Sequence, residues 1–308
     1  IWISESQERM TLAVPPKKWT AFQKLMASRG VEATRIGIFT NSGKAIVKNK
    51  GKVILDLDLE FLHEGLPVKN QQSAHDARRT THDAIGVKRE ASGELLLEML
   101  ARPGITSTAF VASQYDHEVQ GVSVTKPLQG KGRVNADATV SRPVLTSQKG
   151  VVLAQGLYPT WSEIDAYKMA GMSIDTAIRN AVSAGANPDH LAILDNFCWS
   201  SSDKPERLYQ LKEAARGCYD YAVAYGTPFI SGKDSMFNDF SGFSASGAPI
   251  KISVPPTLLI SALGVIPDIT KAITLDLKSA GDTLYIVGEG GLDAKKNLKI
   301  YQAFYKAV

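Results

Sequence analysis

Leu191-Ala192-Ile193-Leu194-Asp195-Asn196 opens a stretch that closes on Phe229-Ile230-Ser231-Gly232-Lys233-Asp234-Ser235-Met236, and what lies between them decides the fold. Each end reads as an apolar strand followed by polar residues. A helix is expected in the middle: Asp203 stands at the N-cap, Pro205 at the first helical position, and Leu208, Leu211, Ala215, Cys218 and Ala222 recur along one face before Gly226 stops it. Strand, helix and strand in that order make a β-α-β unit, whose crossover makes the two strands parallel. If they are neighbours in one sheet, Asp195 stands beside Gly232-Lys233-Asp234-Ser235. In open α/β sheets, crevices at the carboxyl ends of strands are the usual ligand sites. Gly232 lets backbone approach a phosphate, Asp195 and Asp234 suit Mg²⁺ or a ribose hydroxyl, Lys233 suits a phosphate charge, and Ser235 can donate to an anion. The same residues equally suit an ordinary glycine turn with solvated Lys and Asp.

Composition narrows the function classes. With 308 residues and 44% hydrophobic content the chain can bury one large core or several small ones, and its length favours two or three domains. No run approaches a membrane span, and Ile1-Trp2-Ile3-Ser4-Glu5 has neither a basic n-region nor an initiator Met, so the chain is expected to begin inside a longer polypeptide. Cys198 and Cys218 suit reduced thiols in a cytoplasmic protein. The net charge of +4 is modest and its basic residues are scattered, which argues against a nucleic-acid partner and leaves anionic small molecules open.

Outward from the central unit, residues 1 to 65 read β-α-β-β. Strands are expected at 10–14, 34–39, 45–48 and 52–57, with a helix entered through Pro15-Pro16 and Asn41-Ser42-Gly43 as a hairpin turn. A polar linker follows; His75 and His82 in it are seven apart, more often a solvated face than a zinc site. Another short helix is expected at 95–100. A patterned helix over 174–184, capped by Ser173, carries Ile174, Ala177, Ile178, Ala181 and Val182 inward. The glycine- and serine-rich stretch 240–248 reads as a mobile loop, 258–266 as an apolar strand, and 273–277, 282–288 and the helix from Asp293 as the start of a further αβ domain.

Several runs in this order resemble the second half of the phosphoribosylformylglycinamidine synthase family: Ser4-Glu5-Ser6-Gln7-Glu8-Arg9-Met10, Tyr115-Asp116-His117-Glu118-Val119-Gln120-Gly121, Ala177-Ile178-Arg179-Asn180-Ala181-Val182, Ala192 to Trp199 and Gly232 to Met236. The resemblance implies an α+β chain of tandem aminoimidazole ribonucleotide synthetase-like domains, with mixed sheets packed with helices and both outer domains incomplete. Its parts would be 1–65, the end of a first C-terminal domain; 66–112, a linker; 113–267, a nucleotide-binding-like N-terminal domain; and 268–308, the start of a second C-terminal domain.

The implied reaction is the ATP- and glutamine-dependent conversion of formylglycinamide ribonucleotide to its amidine in purine synthesis, with ATP and Mg²⁺ as cofactors and a glutamine amidotransferase domain or subunit as partner. Carried over residue by residue, Asp195 and Gly232 fall to ATP, Ser235 and Glu5-Ser6-Gln7 to the ribonucleotide, and Asp137 to the metal. No catalytic residue falls in this segment, because the family's catalytic histidines map upstream of Ile1, so the segment alone is expected to be inactive. Departures matter too: Asn135-Ala136 replaces the glycine expected before Asp137, Thr176 stands where relatives place a metal-binding Glu, and Lys233 replaces a metal-binding Asn. These departures keep open a non-catalytic pseudo-domain that scaffolds or holds a structural nucleotide. Another ATP enzyme of the same fold family is the remaining alternative.

Overall fold

A computed structural model of the chain describes residues 9–75, 93–114, 118, 120–288 and 291–308. Chain contacts divide it into two compact units at Asn70 and Gln71.

In the first unit, Pro16–Lys18 forms a 3-10 turn leading into α1 (Trp19–Ser28), followed by an antiparallel hairpin of β1 (Lys44–Asn49) and β2 (Lys52–Asp58) and by α2 (Leu59–Glu64). The hairpin turn is Lys50-Gly51, both in left-handed conformation at φ +48° and +81°, as a two-residue turn between right-twisted strands requires. Asn41-Ser42-Gly43 therefore leads into the hairpin and does not close it. The strands expected at 10–14 and 34–39 do not form: their alternation suits a sheet face, but nothing in the unit offers them a ladder. No described residue of this unit is buried, and Ile36, Ile38 and Phe39 are exposed.

The second unit holds α3 (Gly93–Leu100), α4 (Ala109–Ala112), a small ladder of β3 (Leu128–Gln129) and β4 (Val134–Asn135), then β5 (Ala138–Ser141), β6 (Gly150–Leu157), α5 (Ala166–Ser183), β7 (Leu191–Cys198), α6 (Pro205–Tyr225), β8 (Phe229–Ser235), β9 (Asp239–Phe243), β10 (Pro249–Ser253), β11 (Thr257–Ile266) and α7 (Ala294–Ala307). Its main sheet runs β5-β6-β11-β7-β8. All pairs are antiparallel except β7 with β8, which are parallel neighbours as the crossover through α6 demands.

One face of this sheet is the core. Val152, Ala154, Ile193, Leu258, Ile260 and Ala262 are buried against Met169, Ile174, Ala177, Ile178 and Ala181 of α5. The helix comes so close that a side chain at Gly156 would begin 2.0 Å from the Ser173 carbonyl oxygen. On the opposite face Leu153, Leu157 and Val265 remain exposed.

Three helical and loop expectations shift. α5 starts eight residues before Ile174, with Asp165 as N-cap accepting from the Lys168 amide, so Ser173 is a buried mid-helix residue and not a cap. Gly171, inside the helix, lies under the Tyr221 ring and lets α5 and α6 approach. The cap of α6 is Lys204, not Asp203, whose carboxylate accepts from Gln71. Its buried face runs through Arg207, Gln210, Ala214, Gly217, Cys218 and Tyr225, and Ala215 points outward. Hydrophobic periodicity missed this because two of the buried positions are polar: Arg207 donates to Glu163 at 2.6 Å and to Gln210 at 2.9 Å. The stretch 240–248 is an ordered hairpin of β9 and β10, held at its base by Asp239, which accepts from the Ser201 amide and the Ser253 hydroxyl. Residues 273–288 form no strand, whereas the helix after Asp293 is α7, capped by that residue's carboxylate.

Candidate functional site

β7 and β8 place the central residues side by side. In their parallel register Leu194 is opposite Ser231, Asp195 opposite Gly232, Asn196 opposite Lys233 and Cys198 opposite Ser235. The whole Ser231 to Ser235 run is strand and not a turn after one. β8 is the sheet's edge, and Ser231, Gly232, Lys233 and Asp234 are exposed along it. An edge strand leaves a row of backbone donors and acceptors unpaired, so this strip offers amides to a ligand.

The reason for glycine at 232 is geometric. A Cβ there would fall 2.5 Å from Asp195 Oδ1, so the carboxylate occupies the space a side chain would need. The Lys233 amide donates to that carboxylate. Asp195 lies in register with Ile260 and, through β11, with Gly156, which puts it on the sheet face that carries the helices. There burial, followed in importance by the opposing Lys233 hydrogen bond and the nearby charge of Asp234, leaves its carboxyl above the usual range. The same carboxylate contributes to the Cys218 thiol, which is pushed up to about 12, mainly by burial. Asp195 is thus a half-buried acid with one backbone donor and unfilled acceptor capacity.

Asp137 sits apart from this pair. It is exposed and immediately precedes β5, at the far side of the sheet. The registers align Ala138 with Ala154, Ala262 and Ile193 in turn, so Asp137 lies along the same rim as Asp195 but three strand spacings away, roughly 14 Å. One ion cannot touch both carboxylates. Among the described residues no group of three His, Cys, Asp or Glu side chains is placed to hold a metal. A lone carboxylate fits magnesium only in the manner of a hydrated ion shared with phosphate oxygens. Asn135, standing where a phosphate-approaching glycine was expected, clamps the chain before α4: its Oδ1 accepts from the Thr108 amide and hydroxyl, both at 2.9 Å, and its Nδ2 donates to the Thr106 carbonyl at 2.8 Å.

Thr176, at the expected metal-carboxylate position on α5, pairs with the Tyr158 hydroxyl at 3.0 Å and accepts from Arg179 at 3.1 Å. Asp175 points the other way, into a buried cluster with Tyr225, Asn297 and Tyr301. Sequence reading missed that cluster; its one signal was an acid beside the apolar stripe of α5 with Arg179 one turn on. His75 packs edge-on against Tyr209 with ring centroids 5.1 Å apart. Ser235 sits in the last position of β8, its carbonyl accepting from the Trp199 amide. Glu5, Ser6, Gln7, His82, His117 and Val119 lie outside the described residues.

A mixed sheet with helices on one face and one parallel strand pair at its edge define the class of an αβ domain. Residues 135–265 match the AIR synthase related protein N-terminal domain, and residues 1–50 match the C-terminal domain of the same family. Over these two stretches the chain is similar to AIR synthase related proteins. Over 289 residues it is 32% identical to the phosphoribosylformylglycinamidine synthase subunit PurL of Methanothermobacter marburgensis, covering 94% of this chain and 37% of that protein. The corresponding subunit of Deinococcus radiodurans is 33% identical over 93% of this chain and 37% of its own length. The chain thus spans well under half the length of these curated relatives. The fold agrees with solved structures from Thermotoga maritima: PurLQS, at 20% identity and TM-score 0.52 over 89% of this chain and 40% of that chain, and PurL complexed with FGAR, at 17% identity and TM-score 0.52 over 94% and 41%.

Proposed function

We propose that this chain is the central part of a phosphoribosylformylglycinamidine synthase and supplies part of an ATP and ribonucleotide site. The order of the family matches supports two tandem copies of a two-domain unit, since the C-terminal-domain match precedes the N-terminal-domain match. The observation that carries the site is the Asp195 and Gly232 pairing, a half-buried acid beside an exposed edge strand. Gly232, with no side chain, leaves the edge open for a phosphate to approach the backbone of β8, and the Lys233 ammonium supplies a balancing charge. Asp195 would take a ribose hydroxyl or share in holding magnesium, and Asp137, farther along the rim, would hold magnesium separately, the ion supplying charge neutralisation to phosphate. Ser235 and the Glu5-Ser6-Gln7 run take the ribonucleotide.

In the reaction of the whole enzyme, ATP phosphorylates the amide oxygen of formylglycinamide ribonucleotide, and ammonia released from glutamine by an amidotransferase displaces the phosphate. This chain's contribution is binding and charge neutralisation rather than proton transfer. The curated relatives, named as PurL subunits of that synthase, and the Thermotoga maritima PurL solved with FGAR support the substrate; PurLQS supports a multi-subunit partner. The test is calorimetric titration of the chain with Mg-ATP, with the amidine product assayed in parallel. The expected result is saturable Mg-ATP binding, weakened in Asp195→Ala, and no amidine from the chain alone. Product from the chain alone would overturn the division of labour. Absence of binding in both proteins would favour the scaffold reading, which Thr176 and Lys233 at expected metal positions motivate.

A further inference from the structure

Asp175 is 3% exposed, yet it carries a charge on a helix whose neighbours are Ile174, Ala177 and Ile178. A carboxylate in such a place persists only if its lone pairs are filled. Four donors fill them. Oδ1 accepts from the Tyr225 hydroxyl of α6 at 2.5 Å and, from α7, from the Tyr301 hydroxyl at 2.7 Å and the Asn297 amide at 2.9 Å, while Oδ2 accepts from Arg179 Nη1 at 3.0 Å. Burial, and then the charge and hydrogen bond of Asp175, push both phenols well up, so neither donor ionises near neutrality.

Half of these donors arrive on one element. α7 buries Ala294 and Tyr301 and packs Leu298, Ile300, Phe304 and Tyr305 partly buried against the same core, and the bonds to Asp175 add a directional contact to that apolar seat. Tyr301 lies parallel to Tyr225, ring centroids 6.3 Å apart and planes inclined by 6°. Undocking α7 would strip two hydrogen bonds from a buried charge. Hydrogen bonds to charged groups are the ones most costly to leave unmade. A carboxamide at 175 would offer an N–H₂ group to donors on every side, and a glutamate would overfill a packed site.

We infer that Asp175 is the positioning residue that seats α7: its carboxylate is the key by which the α5–α6 layer holds the C-terminal helix in one register. The docking does not depend on the nucleotide reading above. It also explains why the acid next to Thr176 cannot serve a metal there, since Oδ1 is committed to α7 and Tyr225 and Oδ2 to Arg179.

Hydrogen exchange on the whole chain, resolved by peptide, tests this with Asp175→Asn and Tyr301→Phe. The expected result is exchange at least about tenfold faster across 294–307 in Asp175→Asn, with β6 and β11 unchanged. A smaller acceleration confined to α7 is expected in Tyr301→Phe, which keeps the stacked ring. If Asp175→Asn does not fold, the Tyr301→Phe result decides alone. Unchanged exchange in α7, or acceleration spread evenly over α7, β6 and β11, would overturn the assignment, because the latter is what loss of a merely stabilising contact produces.

Discussion

Two aspartates, Asp175 and Asp195, show what the surroundings of a carboxylate reveal about its use. Asp175 is sealed in and receives four donors from three helices. Asp195 is half-buried on a sheet rim, receives the Lys233 amide, and is left above its ordinary pKa by burial. The first acid has spent its acceptor capacity inside the fold and can only hold structure. The second retains capacity, faces a glycine whose missing side chain leaves room for its carboxylate, and borders an exposed strand edge. Saturation separates a structural acid from a binding one better than residue type or depth alone.

The largest effect that would break this contrast is on stability. Asp175→Ala leaves Tyr225, Tyr301, Asn297 and Arg179 facing an empty site, and removing one partner of a buried charged cluster costs about 3–5 kcal/mol. Urea unfolding should show that loss; a change below about 1 kcal/mol would place Asp175 in the same category as Asp195. Next is Gly232→Ala. Its methyl takes the space of the Asp195 carboxylate, which must turn aside, so weaker Mg-ATP binding is expected with a stability loss below about 1 kcal/mol. Binding left intact would detach Gly232 from the site.

A smaller effect, of opposite sign, comes from Asp195→Asn. Because the folded-state pKa of Asp195 is raised, the folded protein binds more protons than the unfolded chain between the unfolded and folded values, and stability falls as pH rises through that window. At pH 7 the asparagine variant is therefore expected to be slightly more stable than wild type while binding Mg-ATP more weakly, and the stability gain vanishes below the unfolded carboxyl pKa. Thermal melts across pH 3 to 8 check this. The smallest effect concerns Cys218: with its pKa pushed up to about 12, it should resist alkylation at pH 8 in the folded protein and react on unfolding. Folded-state labelling at Cys218 would mean the layer beneath Asp195 is open.

The same contrast governs what the sequence made legible. Parallel β7 and β8, and Asp195 beside Gly232, followed from a crossover rule and two apolar runs, because chain connectivity alone enforces them. The AIR synthase related likeness was legible from motif runs in their order. The start of α5 was not, because Ser173 reads as an N-cap, and only the packing of α6 against Gly171, with the Tyr221 ring beside the glycine, shows the helix continuing through it. The true inner face of α6 was hidden by Arg207 and Gln210, polar residues buried by pairing with Glu163, which lies far away in sequence. Asp175 was invisible for the same reason: its partners Tyr225, Asn297 and Tyr301 are brought to it only by packing. The strands expected at 10–14 and 34–39 failed because a strand is defined by its neighbour, and alternation cannot report whether a neighbour exists.

The central claim, that the Asp195 and Gly232 rim binds nucleotide while the Asp175 cluster holds structure, is tested most directly by hydrogen exchange with and without saturating Mg-ATP. The account predicts slowed exchange at the amides of 232–235 and no change across 294–307. Protection absent from β8, or appearing in α7 instead, would contradict it.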